Sequence, residues 1–264
     1  MNRIKKPLVL VSIMLSFVAL SVAVNRTGSA RSAGAGELLK LHGQEANGFL
    51  PDKDLSEPLA AATGAFVQEA RLLAADGVSQ DSMGFSVAVS GDTAVVGAPA
   101  DAVNAKNRQG SAYVYVRTGN VWTQQQKLTA SDGAANDEFG YSVAVAGDTI
   151  TVGRHNTQTG SNRTRGAVYV FKRTGATWAE QQILTAGDGV EGDIFGTNLA
   201  LENDTLIIGA HQKNVGSNFF QGAAYVFTRA GASNSFAQQA RLTASDGGFA
   251  DFFGYSVGIS GDTA

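Results

Sequence analysis

Asp132-Gly133-Ala134-Ala135-Asn136-Asp137-Glu138-Phe139-Gly140-Tyr141-Ser142-Val143-Ala144-Val145-Ala146-Gly147-Asp148 is the stretch on which the fold turns. A loop opened and closed by aspartate leads into Phe-Gly. Side chains then alternate as in a strand, and Gly-Asp marks a tight turn whose residues tolerate positive φ. The phrase returns in Asp76-Gly77…Met83-Gly84, Asp188-Gly189…Phe195-Gly196 and Asp246-Gly247…Phe253-Gly254, the opening aspartates lying 56, 56 and 58 residues apart. A period of that size means one supersecondary unit repeated, each copy burying its faces on its neighbours.

Outward from the turn, Thr149-Ile150-Thr151-Val152-Gly153 closes a hairpin. A loop, Arg154 to Arg165, leads to a third strand at Gly166 to Phe171. A turn at Thr174-Gly175 leads to a fourth, Trp178 to Thr185. The other copies match position by position: the third strand carries Tyr113, Tyr169 and Tyr225, and the fourth opens on Phe66, Trp122, Trp178 and Phe236. The extra residues of the last interval fall within Gly231 to Ser235, a hairpin tip, where insertion costs least. Four antiparallel strands per copy, with no helix between copies, predict an all-β chain of β-propeller blades. The innermost strands are rich in Ala, Val and Gly, which suits crowding toward an axis. The outer strands carry aromatics that can bury wide faces between blades, each worth a few kcal/mol at about 25 cal/mol per Å2.

These residues resemble the FG-GAP repeat family, best known from the propeller of integrin α-subunits and common in exported bacterial proteins. The first motif stands as Phe139-Gly140, Phe195-Gly196 and Phe253-Gly254, with Met83-Gly84 as a departure; the second is intact at Gly97-Ala98-Pro99 and drifts to Gly153-Arg154-His155 and Gly209-Ala210-His211. The match runs from about Phe66 to the C-terminus. The resemblance implies a seven-bladed propeller that binds rather than catalyses. Calcium-binding members carry an acidic loop between the two motifs. Here that place holds only a tight turn with one acidic residue, or two in the third copy, Glu202 and Asp204. A hard cation wants six or more oxygens, so the family's calcium site is not carried over, and no cofactor is expected.

The 264 residues carry a net charge of −3 and no cysteine. That excludes disulfides, thiol catalysis and cysteine-ligated zinc. Beyond the N-terminus no basic tract stands out, so nucleic acid is not an expected partner. At the N-terminus, Arg3, Lys5 and Lys6 precede an apolar run from Pro7 to Val24, and small-x-small sites follow at Ser21-Val22-Ala23 and Gly28-Ser29-Ala30. This is the layout of a secretory signal over residues 1–30. Left uncleaved, it would be an anchor at the lower length limit for a bilayer span. Residues 31–65 are Ala/Gly-rich and aperiodic and read as a spacer. The expected destination is secreted, periplasmic or cell-surface.

Four candidate sites come from the residues. The recurring pairs Asp76/Asp81, Asp132/Asp137, Asp188/Asp193 and Asp246/Asp251 could hold calcium with backbone carbonyls. Recurrence in every copy favours the other reading, in which aspartate fixes a turn and glycine follows where the backbone bends sharply. His155 and His211, 56 residues apart, occupy equivalent places; two ligands make a poor metal site, and such positions converge only near the axis. Gly254-Tyr255-Ser256-Val257-Gly258 matches a serine-hydrolase pattern, but other copies place it inside a strand, not on a strand-to-helix turn. The loops after the second motif differ most between copies: Arg154, Arg163 and Arg165 make one basic, and Phe219-Phe220 make another apolar. With the two histidines, these are the candidate ligand contacts.

Three full copies and the opening of a fourth are present, whereas a seven-blade ring needs about 390 repeat residues at this period. Residues 66–264 are therefore expected to be part of a larger propeller, with further blades in a longer product. The leading functional expectation is an exported adhesion-type module for an extracellular or cell-surface protein or glycan, touching membrane only if the N-terminal segment is uncleaved. The alternative is an accessory propeller attached to a downstream enzyme domain.

Overall fold

A computed structural model describes residues 68–155, 158–159, 162–163, 165–230 and 235–264. The expected signal and spacer lie outside the described residues. Three four-stranded antiparallel meanders follow one another. The first joins β1 (Ser86–Ser90), β2 (Thr93–Ala98), β3 (Ser111–Thr118) and β4 (Val121–Leu128). The second joins β5 (Ser142–Ala146), β6 (Thr149–Arg154), β9 (Ala167–Thr174) and β10 (Thr177–Leu184), with a two-residue ribbon, β7 (Gln158–Thr159) and β8 (Asn162–Arg163), in its loop. The third joins β11 (Leu199–Glu202), β12 (Thr205–Ala210), β13 (Ala223–Thr228) and β14 (Ala237–Leu242). This is an all-β architecture consistent with propeller blades.

Strand alternation gives each blade two unlike faces. From β3, Ala112 and Val114 point toward blade 2, where they join Tyr169, Phe171 and Trp178 in one core. From β9, Val168 and Val170 point toward blade 3 and meet Tyr225, Phe227 and Phe236. A small aliphatic face thus meets an aromatic face at each junction. Interdigitation of unlike sizes fills the space without voids. The innermost strands β1, β5 and β11 lie side by side, as their small residues predict.

The two sequence motifs are one interlock. Within a blade, the amide of the Phe-Gly glycine donates to the carbonyl of the penultimate glycine of the second strand: Gly84 to Gly97, Gly140 to Gly153, Gly196 to Gly209, at 3.0, 3.1 and 3.0 Å. Between blades, the same glycine's carbonyl accepts a serine hydroxyl from the blade before, Ser86 to Gly140 at 2.8 Å and Ser142 to Gly196 at 2.6 Å. A Cβ on Gly153 would collide with the Gly196 carbonyl oxygen, and Gly140 sits at φ 91°. Both motif glycines are therefore required, one for backbone approach and one for conformation. The intervening Phe139 and Phe195 are fully buried, each worth about 1.5–3 kcal/mol.

Two expectations need adjustment. A hydrogen-bonded turn does close on the glycine after each opening aspartate, Gly77, Gly133, Gly189 and Gly247 donating three residues back, but these glycines are not left-handed. Positive φ falls instead on Gln80 and Ser82, Asn136 and Glu138, Gly192 and Ile194, and Ala250 and Phe252, either side of the second aspartate. Gly133 is small because a Cβ there would strike the Gln109 side chain. Residues 68–74, aligned with a fourth strand, form none: Leu72 and Ala74 pack on the Ala94–Tyr115 face of blade 1, and the Ala75 amide donates to the Gln124 side chain rather than to a ladder. The fourth copy docks through a parallel bridge, Gly222 to Phe253, and closes only the pair Ser260–Thr263.

Candidate binding site at one end of the blades

The acidic recurrence resolves into a nest built the same way three times. The second aspartate accepts the amide three residues earlier, Val78 to Asp81, Ala134 to Asp137 and Val190 to Asp193, each at 2.7 Å. That bond fixes the left-handed residues around it, strain that non-glycine residues otherwise avoid. The first aspartate accepts the phenol of the third-strand tyrosine: Tyr113 to Asp76 at 2.9 Å, Tyr169 to Asp132, Tyr225 to Asp188 at 2.7 Å. Burial pushes the Tyr113 phenol up to about 12 and raises the other two as well, so all three are donors at neutral pH.

Each nest also receives a cation from this chain, by a different route. In blade 1 it is Lys127 of β4, 2.6 Å from Asp76 and 2.8 Å from Asp101. In blade 2 it is Arg154, 2.7 Å from Asp137 and 3.2 Å from Asp132. In blade 3 it is Lys213, 2.8 Å from Asp193, with Arg241 of β14 on Asp188. Protein ammonium and guanidinium groups stand where a bound cation would otherwise balance the carboxylates. Among the described residues, no group of three metal-type ligands converges.

Arg154 is therefore not a loop residue. It ends β6, it is buried, and its guanidinium carbon lies over the Tyr169 ring, 5.2 Å from the centroid. Arg163 lies in β8, and Arg165 is exposed while its carbonyl receives the Phe195 amide at 3.0 Å. Phe219 and Phe220 are exposed on the third loop. Phe220 stacks on Phe252 at 6.2 Å. The corresponding place between blades 1 and 2 is an Arg108–Glu138 ion pair, so one clamp is ionic and the other aromatic.

The two histidines come together on the inner side. His155 lies 3.9 Å from the Tyr141 ring and 3.4 Å from Glu138. His211 lies 4.8 Å from Tyr255 and shares a 3.2 Å hydrogen bond with Thr197 through Nδ1. Burial lowers the pKa of both, and for His155 the nearby His211 adds to this while Glu138 opposes it. Both are neutral at pH 7.

Beside His211 the first residues of β1, β5 and β11 surround a hollow of about 400 Å3. Its walls carry Phe85, Tyr141 and Tyr255, with Thr197, Asn198 and His211 as polar groups. The aromatic arc follows from the residue after each Phe-Gly glycine: Phe85, Tyr141 and Tyr255, with Thr197 as the exception. In the sequence these positions read as ordinary strand residues, whereas in the structure Phe85 and Tyr141 lie just before β1 and β5.

The repeated four-stranded sheets and the interlocking motifs define an all-β repeat protein whose units are consistent with propeller blades. The FG-GAP repeat profile matches residues 66–115, 122–171, 178–227 and 236–264, more than half of the chain, and the chain belongs to that family. The FG-GAP repeat is a non-catalytic structural repeat, and at family level such repeats mediate protein and glycan interactions. A search of curated proteins finds no match. Among 67 matching solved chains is Sqt1 of Saccharomyces cerevisiae, at 11% identity and a TM-score of 0.39, the match covering 63% of this chain and 37% of that one.

Proposed function

We propose that this chain is an exported binding module of adhesion type, recognising an extracellular or cell-surface protein or glycan without catalysis. In this reading residues 1–30 direct export, 31–65 are a spacer, and the repeats contribute to a seven-bladed ring. The observation that carries it is the gathering of recognition chemistry at one end of the blades. The exposed Phe219–Phe220 pair lies against the fourth Phe-Gly loop, bonded from Ala250 to Phe219 and from Phe252 to Phe220, and the hollow is lined by the residue after each Phe-Gly glycine. Variable loops on a rigid repeated scaffold are the usual place for ligand contacts. The nests and interlocks hold that scaffold in place but offer little free valence.

The test is calorimetric titration of the full chain against a panel of extracellular matrix proteins and glycans. Saturable binding that weakens on Phe219→Ser/Phe220→Ser or on substitution in the hollow supports the reading. Absence of saturable binding across both classes would contradict it.

A further inference from the structure

We propose that the hollow on the inner side binds an uncharged glycan chain; this rests on the binding-module reading above and names the ligand class for that site. The first argument is charge. The lining contains no Asp, Glu, Lys or Arg. The nearest strong cations are engaged: Arg108 by Glu138, Arg154 by Asp132 and Asp137. The two imidazoles are neutral at pH 7. A phosphate, sulfate or carboxylate ligand would enter this space with nothing to pair it, at high desolvation cost.

The second argument is the mixture of faces and hydrogen-bonding groups. Phe85, Tyr141 and Tyr255 line the hollow with aromatic surface, and the Phe85 and Tyr141 rings lie 4.7 Å apart. Sugar rings present C–H faces that pack on aromatic planes and hydroxyls that need polar partners. Polar capacity is available: among the described residues neither the Tyr141 nor the Tyr255 phenol has a hydrogen-bond partner, and His211 has its Nε2 left over. Ser86 and Ser142, by contrast, have their hydroxyl protons committed to the Gly140 and Gly196 carbonyls. A small apolar ligand would leave these neutral donors unmatched.

The third argument is length. The aromatic surface continues out of the hollow, His211 to Phe252 at 6.0 Å and Phe252 to Phe220 at 6.2 Å. A track of rings leading from a pocket onto the surface suits several linked sugars, so affinity should rise with chain length.

The experiment is a glycan array probed with the purified full chain, followed by calorimetry with a neutral oligosaccharide and an anionic one of equal length. The expected result is neutral binding that increases with length and weakens by roughly tenfold or more in Phe85→Ala and in Tyr255→Ala. Both side chains are exposed, so unfolding transitions should be unchanged and a folding defect is distinguishable from lost contact. Preference for anionic glycans, or neutral binding unaffected by both substitutions, would overturn the inference. Tight binding of an extracellular protein that survives both substitutions would overturn it while leaving the binding-module reading intact. Binding of neither class would sink both.

Discussion

In blade 1 the opening aspartate, Asp76, is met from the outer strand by Lys127; in blade 2 its counterpart Asp132 is met from the end of β6 by Arg154. The difference tracks two positions. The outer-strand position that holds Lys127 in blade 1 and Arg241 in blade 3 holds Ile183 in blade 2, and the position that holds Ala98 and Ala210 holds Arg154. The cation has moved from one side of the nest to the other. What the fold keeps is the neutralised aspartate–tyrosine group, not the residue that neutralises it. The two routes differ in depth. The Lys127 side chain is 25% exposed, whereas Arg154 is 9% exposed and its partner Asp137 is fully buried.

Depth sets the order of the effects that would break this comparison. Arg154→Ala leaves Asp137 buried and uncompensated and should cost about 3–5 kcal/mol in urea unfolding, the range for one partner removed from a buried pair. Lys127→Met should cost less, about 1–2 kcal/mol, because Asp76 reaches water and Asp101 keeps the Ser111 hydroxyl at 2.6 Å. Adding Ile183→Lys to Arg154→Ala rebuilds the blade 1 arrangement in blade 2. It should return about 1 kcal/mol by satisfying Asp132, the rest of the loss persisting because Asp137 lies deeper.

The smallest effect is a difference in acid response. Lys127 and Tyr113 hold the Asp76 carboxyl below the usual range. Asp188 is pushed up by burial yet held low on balance by Tyr225, Arg241 and Lys213. With folded values below unfolded ones, both contribute stability that is present above about pH 4 and lost as pH falls. Asp137 has the opposite sign. Burial raises it despite the Ala134 amide and Arg154, so its contribution is present at low pH and lost as pH rises through its folded value. Melting curves from about pH 6 to about pH 3 should therefore fall less steeply for Lys127→Met than for the parent chain.

Much of this was legible in the sequence. The period, the strand count, the hairpin turns and the family all followed from recurring residues, because architecture repeats and repetition can be read. The nests were half legible: the aspartates recur, so a structural role was favoured. Their cations do not recur at one position, and Arg154 was accordingly read as a basic loop residue. The hollow was the least legible. Its aromatics read from the sequence as strand residues, where burial is the ordinary expectation, whereas Phe85 and Tyr141 precede β1 and β5 and, with Tyr255, line the hollow. The left-handed residues were also hidden, since Gln80, Ile194 and Ala250 carry no signal for that conformation.

The central claim is that the recurring acidic loops are architecture, balanced by the chain's own lysine and arginine, while recognition lies at the open end of the blades. The most direct test is a calcium titration of the full chain followed by thermal unfolding. The account predicts an unchanged Tm into the millimolar range, because in each of the three complete nests a lysine or arginine already meets the aspartates. A rise of several degrees would contradict it and would make the aspartate loops cation sites.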